Sequence, residues 1–274
     1  MSAAIDWHGP SRQPCPSCGR NDRDKTLGVT VDAGRGVAHC FRCSYVETLR
    51  DDRADIRPGK AIERPVGAPK HERLSEYGRG LWNACSRLAG EALAYLLARD
   101  CVPPPADGDL RCHPALKHPI SGIAGPALVT LVTDAITGVP LTLHRSWVQA
   151  NGKKAAVEPA RMLLGGHRKA GGVIRLWPDE AVTTGLAVCE GIETALSMAH
   201  AYTPAWSCID AGNLAALPVL AGIECLVIGA DHDEAGLRAA QDCADRWAAA
   251  GVDVAVVAPK AARADWNDSR RAAA

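Results

Sequence analysis

The chain has 274 residues, 47% of them hydrophobic and 23% charged, enough for one large domain or two to three small ones around a real core. One Phe, four Tyr and seven Trp leave alanine and valine to fill much of that interior. No apolar stretch approaches the roughly 18–20 residues of a membrane span, and the start, Met1 to His8, lacks the charged-then-apolar order of a signal peptide, so a cytoplasmic protein with no membrane partner is expected.

Lys and Arg number 31 against 31 Asp and Glu, but the balance is an average over unlike parts. Residues 1–110 hold 16 basic and 15 acidic side chains, 111–175 nine and two, and 176–274 six and fourteen. A basic middle can take polyanions and an acidic end can hold cations. Solvated faces of mixed sign would give the same counts.

Of eleven cysteines, seven are scattered singly, several of them inside apolar runs, which is not a disulfide framework. The other four form Cys15-Pro-Ser-Cys18 and Cys40-Phe-Arg-Cys43, the spacing of a structural zinc site in which each pair wraps one side of a tetrahedral ion. Between them, 26–32 and 36–41 read as two short strands joined by an Ala33-Gly-Arg-Gly36 turn. A zinc ribbon over 1–50 is expected, too small to fold without its metal. His39 is an alternative ligand beside Cys40. Arg12, Arg20, Arg23, Lys25, Arg35 and Arg42, with Phe41 and Tyr45, suit single-stranded nucleic acid, where bases stack and phosphates pair; a purely structural knuckle is the plainer alternative.

Residues 51–71, rich in Pro, Gly and charge with almost no apolar pattern, read as a linker. From 74 to 99 apolar residues recur at helical spacing, with Gly90 between two helices and Val102-Pro-Pro-Pro105 as the stop. Then 127–133, a turn at 134–138 and 139–145 give a strand–turn–strand unit. Lys153, Lys154, Arg161, Arg168 and Lys169 follow among glycines, as a phosphate-binding strip or a solvated hairpin edge.

After residue 179 the pattern alternates: strand 186–190, helix 194–201, strand 205–209, a short helix, strand 224–230, a long helix to 250 and strand 252–258. Near-continuous apolar strands separated by helices predict a parallel sheet covered by helices on both faces, with ligands at the carboxyl ends of its strands. Glu190, Asp231 and Asp233 fall at those ends, and Asp231 and Asp233, at i and i+2, project the same way. Acids converging there repel unless a cation offsets them, and hard oxygen ligands select Mg²⁺ or Mn²⁺, which suits phosphoryl transfer. Asp265 could add a further acid; Asp210 reads as a helix cap.

Glu190-Gly-Ile-Glu-Thr-Ala-Leu-Ser197 followed by Asp231-x-Asp233-x-Ala-Gly236 resembles a Toprim domain, the metal-binding fold of DnaG-type primases, topoisomerases and some nucleases. The cysteine segment is similar to the zinc ribbon that opens bacterial and phage primases, and 120–165, with Leu143-His-Arg145 and Arg161-Met-Leu-Leu-Gly165, to the basic subdomain before their Toprim domain. The resemblance implies an α/β protein in four parts: ribbon 1–50, linker 51–71, a helical and basic α+β subdomain 72–178, and a Toprim domain 179–274. It implies Glu190 as metal ligand or acid/base, Asp231 and Asp233 as metal ligands, Asp265 as a looser fourth acid, and Arg145, Lys153, Lys154 and Arg161 near template or nucleotide phosphates. Three departures stand out. Glu193 is set against the second acid of the family's Glu-Gly-x-x-Asp, His232 replaces the usual central Gly of Asp-x-Asp, and the first zinc pair is Cys-x-x-Cys where Cys-x-x-His is common.

The implied activity is that of a DNA primase of phage or mobile-element type, with structural zinc and catalytic Mg²⁺ or Mn²⁺, acting on single-stranded DNA and nucleoside triphosphates. No Gly-x-x-x-x-Gly-Lys-Ser/Thr occurs, so a replicative helicase would be a partner in trans rather than a fused motor. A nonenzymatic recombination mediator and a Toprim nuclease are the rivals.

Overall fold

The two cysteine pairs sit at one end of a four-stranded antiparallel sheet: β1 (Arg12–Gln13), β2 (Leu27–Asp32), β3 (Arg35–Cys40) and β4 (Val46–Arg50), in that order. The structure, a computed structural model, describes residues 5–19, 24–32, 35–40, 42–43, 45–50 and 71–259. The hairpin expected from the sequence is present, with Leu27 opposite Cys40 and Asp32 opposite Arg35. Its short flanking strands β1 and β4 carried no signal of their own. Buried Leu27, Val29 and Ala38 cluster with Cys15 and Cys40, and half-buried Ile5, Trp7, Cys18 and Tyr45 pack against them, a core of the size that needs a metal to fold. The expected linker lies at 51–70, outside the described residues.

Two compact units divide the chain, Met1–Val66 and Gly67–Ala274. In the second, Ser75 caps helix α1 (Glu76–Ala84) by accepting from the Gly78 N–H, and α2 (Gly90–Ala98) follows. The break between them falls at 85–89 rather than at Gly90, which instead admits the chain to α2 at a φ of +57°. Next comes an antiparallel sheet of β5 (Leu110–Lys117), β6 (Ala124–Asp134), β7 (Pro140–Trp147) and β8 (Arg161–Leu163), in that order, with β9 (Gly172–Val173) on β6. The β6–β7 hairpin matches the expected strand–turn–strand unit.

The C-terminal part alternates as its sequence does: β10 (Gly185–Cys189), α3 (Ile192–Met198), β11 (Ala205–Ser207), α4 (Ala211–Ala215), β12 (Cys225–Gly229), α5 (Glu234–Ala249) and β13 (Asp253–Val257). The four strands form a parallel sheet ordered β11-β10-β12-β13. One face, through Leu186, Val188, Leu226 and Ile228, packs on Leu214 of α4 and on Ala240, Cys243 and Trp247 of α5. The other carries α3, and beyond it α2 and the antiparallel sheet, in a core joining Tyr95, Leu96, Leu128, Leu141, Ile192 and Leu196. Helices alone do not cover that second face; the basic segment's sheet completes it. No helix among the described residues is long and apolar enough to cross a membrane.

Candidate metal centres

The ligand atoms of Cys15, Cys18, Cys40 and Cys43 lie within 4.8 Å of one another, and among the described residues this is the one such gathering of three or more ligating side chains. Cys15 Sγ stands 3.7 Å from Cys43 Sγ and Cys18 Sγ 3.6 Å from Cys40 Sγ, so the two pairs interleave around a common point. Backbone N–H groups of Ser17 and Arg42 point at Cys15 and Cys40 sulfur, each at 3.4 Å. Gly19 closes the first knuckle: its N–H donates to the Cys15 carbonyl at 2.8 Å, and a Cβ there would stand 2.5 Å from that oxygen. Burial pushes the Cys40 thiol up, yet the N–H groups of Cys43 and Arg42 and the neighbouring Cys18 thiol bring it down to about 6. Four converging sulfurs, one of them ready to ionise, fit a structural Zn²⁺. His39 pairs with Gly28 and Val46 in the sheet and does not join the set. Arg42, one of the cations expected to meet nucleic acid, is bound to buried Asp24 at 2.6 Å. Arg20, Arg23 and Phe41 lie outside the described residues.

The acids share the sheet's carboxyl edge because β10 and β12 are neighbours in register. Cys189 pairs with Gly229, so Glu190 and Asp231 leave adjacent strands one and two residues later. Ser207 Oγ donates to the Glu190 carbonyl at 2.9 Å and fixes the backbone there. Burial, then the charges of Asp231, Asp233 and Asp210, push the Glu190 carboxyl up to about 7, against one backbone N–H from Ala211. Thr194 Oγ1 donates to Asp231 Oδ1 at 3.3 Å. Asp233 caps α5, accepting from Gly236 N at 2.8 Å, while His232 between the two acids bonds the Pro259 carbonyl at 2.6 Å. Gly236 is required sterically: a Cβ would come 2.7 Å from the Asp231 carbonyl oxygen, so the turn that presents both acids closes only without a side chain. The three acids therefore feel one another's charge without drawing as close as the cysteines do. Hard oxygens in mutual repulsion are a set that could hold a divalent cation.

Asp210 is the cap its sequence suggests, accepting from Asn213 N at 3.0 Å, and it also accepts from Lys169 Nζ at 2.5 Å. Asp265 lies outside the described residues. Of the four cations expected near phosphates, Lys153 and Lys154 are exposed. Arg161 keeps 40% of its side chain exposed while pairing with Glu193 at 3.0 Å. Arg145 is buried, donates to the Leu163 carbonyl at 2.9 Å and lies 5.6 Å from the Trp147 ring.

Two residues escaped the sequence reading. Counted residue by residue, the Asp of Glu-Gly-x-x-Asp falls on Thr194 and not on Glu193, which corrects the alignment of that motif; the Thr194 hydroxyl is the group that faces Asp231. Glu193 instead turns into the protein, where Tyr95 Oη donates to it at 2.7 Å. Its signal was an acid between Ile192 and Ala195 on a short apolar helix, a position that stays charged only with buried partners.

Residues 72–176 match a domain of unknown function, DUF7146, and residues 185–274 match the Toprim domain. No curated protein matches the chain. Among solved structures, the chain is similar to the primase fragment of the bacteriophage T7 primase-helicase protein, at 18% identity over 96% of this chain and 94% of that one with a TM-score of 0.44. It is similar to the Aquifex aeolicus primase comprising zinc-binding and RNA polymerase domains, at 14% identity over 95% and 75% with a TM-score of 0.48. A DnaG catalytic core aligns at 14% identity over 71% and 74%, also with a TM-score of 0.48. The likeness read from Glu190-Gly-Ile-Glu193 and Asp231-x-Asp233 is thus matched where those motifs stand, in the residues 185–274 that match the Toprim domain.

Proposed function

We propose that the chain is a DNA primase, making short primers on single-stranded DNA by metal-dependent nucleotidyl transfer. The observation that carries this reading is the placement of Glu190, Asp231 and Asp233 at the carboxyl ends of adjacent strands β10 and β12, in the segment that matches the Toprim domain, where burial and the neighbouring acids push the Glu190 carboxyl up to about 7. The four-cysteine cluster at the other end of the sequence and the basic segment between support it, because they follow the order of parts that the primase resemblance implies.

On this reading Glu190, Asp231 and Asp233 would hold Mg²⁺ or Mn²⁺. Such an ion, when bound, activates a hydroxyl and offsets phosphate charge. Burial and the neighbouring acids disfavour an uncompensated charge on Glu190, which a bound cation would offset. Asp233 keeps its place through the α5 cap and Asp231 through Thr194. Lys153, Lys154 and Arg161 take template or nucleotide phosphates from the exposed side, and buried Arg145 braces β7 against Leu163 from beneath. The primer 3′-oxygen then bonds the α-phosphorus as the bond to pyrophosphate breaks.

The test is unprimed synthesis: purified protein, single-stranded DNA, Mg²⁺ or Mn²⁺ and labelled nucleoside triphosphates. New short oligonucleotides are expected. Shortened template would make the protein a nuclease, and bound but unchanged template a binding module.

A further inference from the structure

Glu193 lies in α3, three residues after Glu190. It is 5% exposed, and both Tyr95 Oη, at 2.7 Å, and Arg161 Nη2, at 3.0 Å, donate to its Oε1. The three groups come from α3, α2 and β8, so a single carboxylate oxygen ties the Toprim part to two elements of the preceding segment. Burial alone would push this acid up; Arg161, the Tyr95 hydroxyl and the charge of Lys154 bring it down to about 2.

A buried ion pair is weak evidence for stability, because an apolar pair of similar volume often does as well. This pair is also lopsided. Glu193 is enclosed, whereas Arg161 remains 40% exposed and Lys154 is exposed. A guanidinium carries five N–H donors, and one Nη2 contact goes to Glu193, leaving a charged edge for a second anion. Arg161, tied to one enclosed counter-charge on the helix that follows Glu190, is an anchored cation with part of its guanidinium open to solvent. A flexible lysine or arginine on an open surface would lose more side-chain entropy on binding.

We propose that Glu193 is a positioning residue that holds Arg161 beside the helix that follows Glu190, where the exposed part of that guanidinium binds substrate phosphate. This rests on the primase reading for the identity of that phosphate, which belongs either to a nucleoside triphosphate or to the template backbone.

Two ligands are titrated on the full chain: a nonhydrolysable nucleoside triphosphate with Mg²⁺, and a short oligodeoxythymidylate. Glu193→Gln keeps the shape and removes the charge. Affinity for at least one ligand is expected to fall about tenfold, as for the loss of a charged hydrogen bond. Arg161→Ala should cause the same loss, and the double variant should lose no more than either single one, because both act on one contact. The ligand that responds identifies the source of the phosphate. Unchanged affinity for both ligands in a folded Glu193→Gln protein overturns the proposal, as do losses that add in the double variant.

If Glu193→Gln does not fold, Tyr95→Phe removes one donor to Oε1 and leaves every charge in place. It should weaken phosphate binding about threefold; a lower melting temperature with unchanged affinity means a structural role only and overturns the proposal. Primer synthesis by the wild type is scored alongside. A wild type that binds phosphate ligands yet makes no primer ends the primase reading and leaves this one standing, whereas a wild type that binds neither ligand overturns it.

Discussion

The hydroxyl of Thr194 donates to Asp231 across the gap between α3 and the end of β12, at 3.3 Å. Thr194 thus stands where the Glu-Gly-x-x-Asp pattern has its second acid, and supplies a neutral donor in place of a further charge. Thr194→Val should leave Asp231 without this partner and cost about 1 kcal/mol of stability, read by chemical denaturation. Thr194→Asp should do the opposite for cations. With a fourth carboxylate at the edge, Mn²⁺ should bind about threefold to tenfold more tightly in calorimetry, the scale of one added charge at short range.

Acid should unlock the Glu193 contact. The folded-state carboxyl sits near 2, below its ordinary value of 4.5, so the native state holds fewer protons than the unfolded one as pH falls between these values. Its stabilisation is complete above about 4.5 and disappears as pH falls toward 2. Thermal melts from pH 7 down to 2 should show this loss in the wild type, and the slope should be shallower in Glu193→Gln. Equal slopes would mean that Arg161 and Tyr95 do not hold the charge.

Metal removal should act on one unit. The cysteine sheet has a core of only a few side chains around Cys15 and Cys40, and it is a compact unit apart from Gly67–Ala274. A strong chelator, or Cys40→Ser, should release zinc and unfold that sheet while the second unit keeps its own melting transition. Mass spectrometry of the native protein and circular dichroism check both halves of the statement; an unchanged zinc content in Cys40→Ser would contradict it.

Gly236→Ala tests the turn that presents the two aspartates. The added Cβ meets the Asp231 carbonyl oxygen at 2.7 Å, and backbone rather than a flexible side chain must yield. A loss of about 1–3 kcal/mol is expected, the usual range for overpacking, together with weaker Mn²⁺ binding. Retained metal affinity would show that the acids do not depend on this turn.

Much of the fold was legible because its signals are local. Cysteine spacing marks the knuckles, and apolar runs such as 226–230 separated by a 16-residue amphipathic helix mark the parallel sheet. The carboxyl-end rule then brings Glu190 to Asp231 without any knowledge of side-chain contacts. What escaped depends on distant partners. β5 carries His113, Pro114 and a register shift between His113 and Leu116, which blur its alternation, and the two-residue strands β1 and β9 exist only by pairing with longer ones. The burial of Arg145 follows from β7 being the inner strand between β6 and β8, and β8 is only three residues long. Likewise Glu193 meets Tyr95 from 98 positions away, a pairing no periodicity can show.

The most direct test of the central claim is primer synthesis by Asp231→Asn, which removes the charge and keeps the shape, measured beside single-stranded DNA binding in the same preparation. If the carboxylate cluster carries nucleotidyl transfer, synthesis is abolished while DNA binding stays at the wild-type level. Synthesis that survives the substitution would contradict the assignment of the cluster, and loss of DNA binding together with synthesis would contradict the separation of the metal site from the phosphate-binding cations.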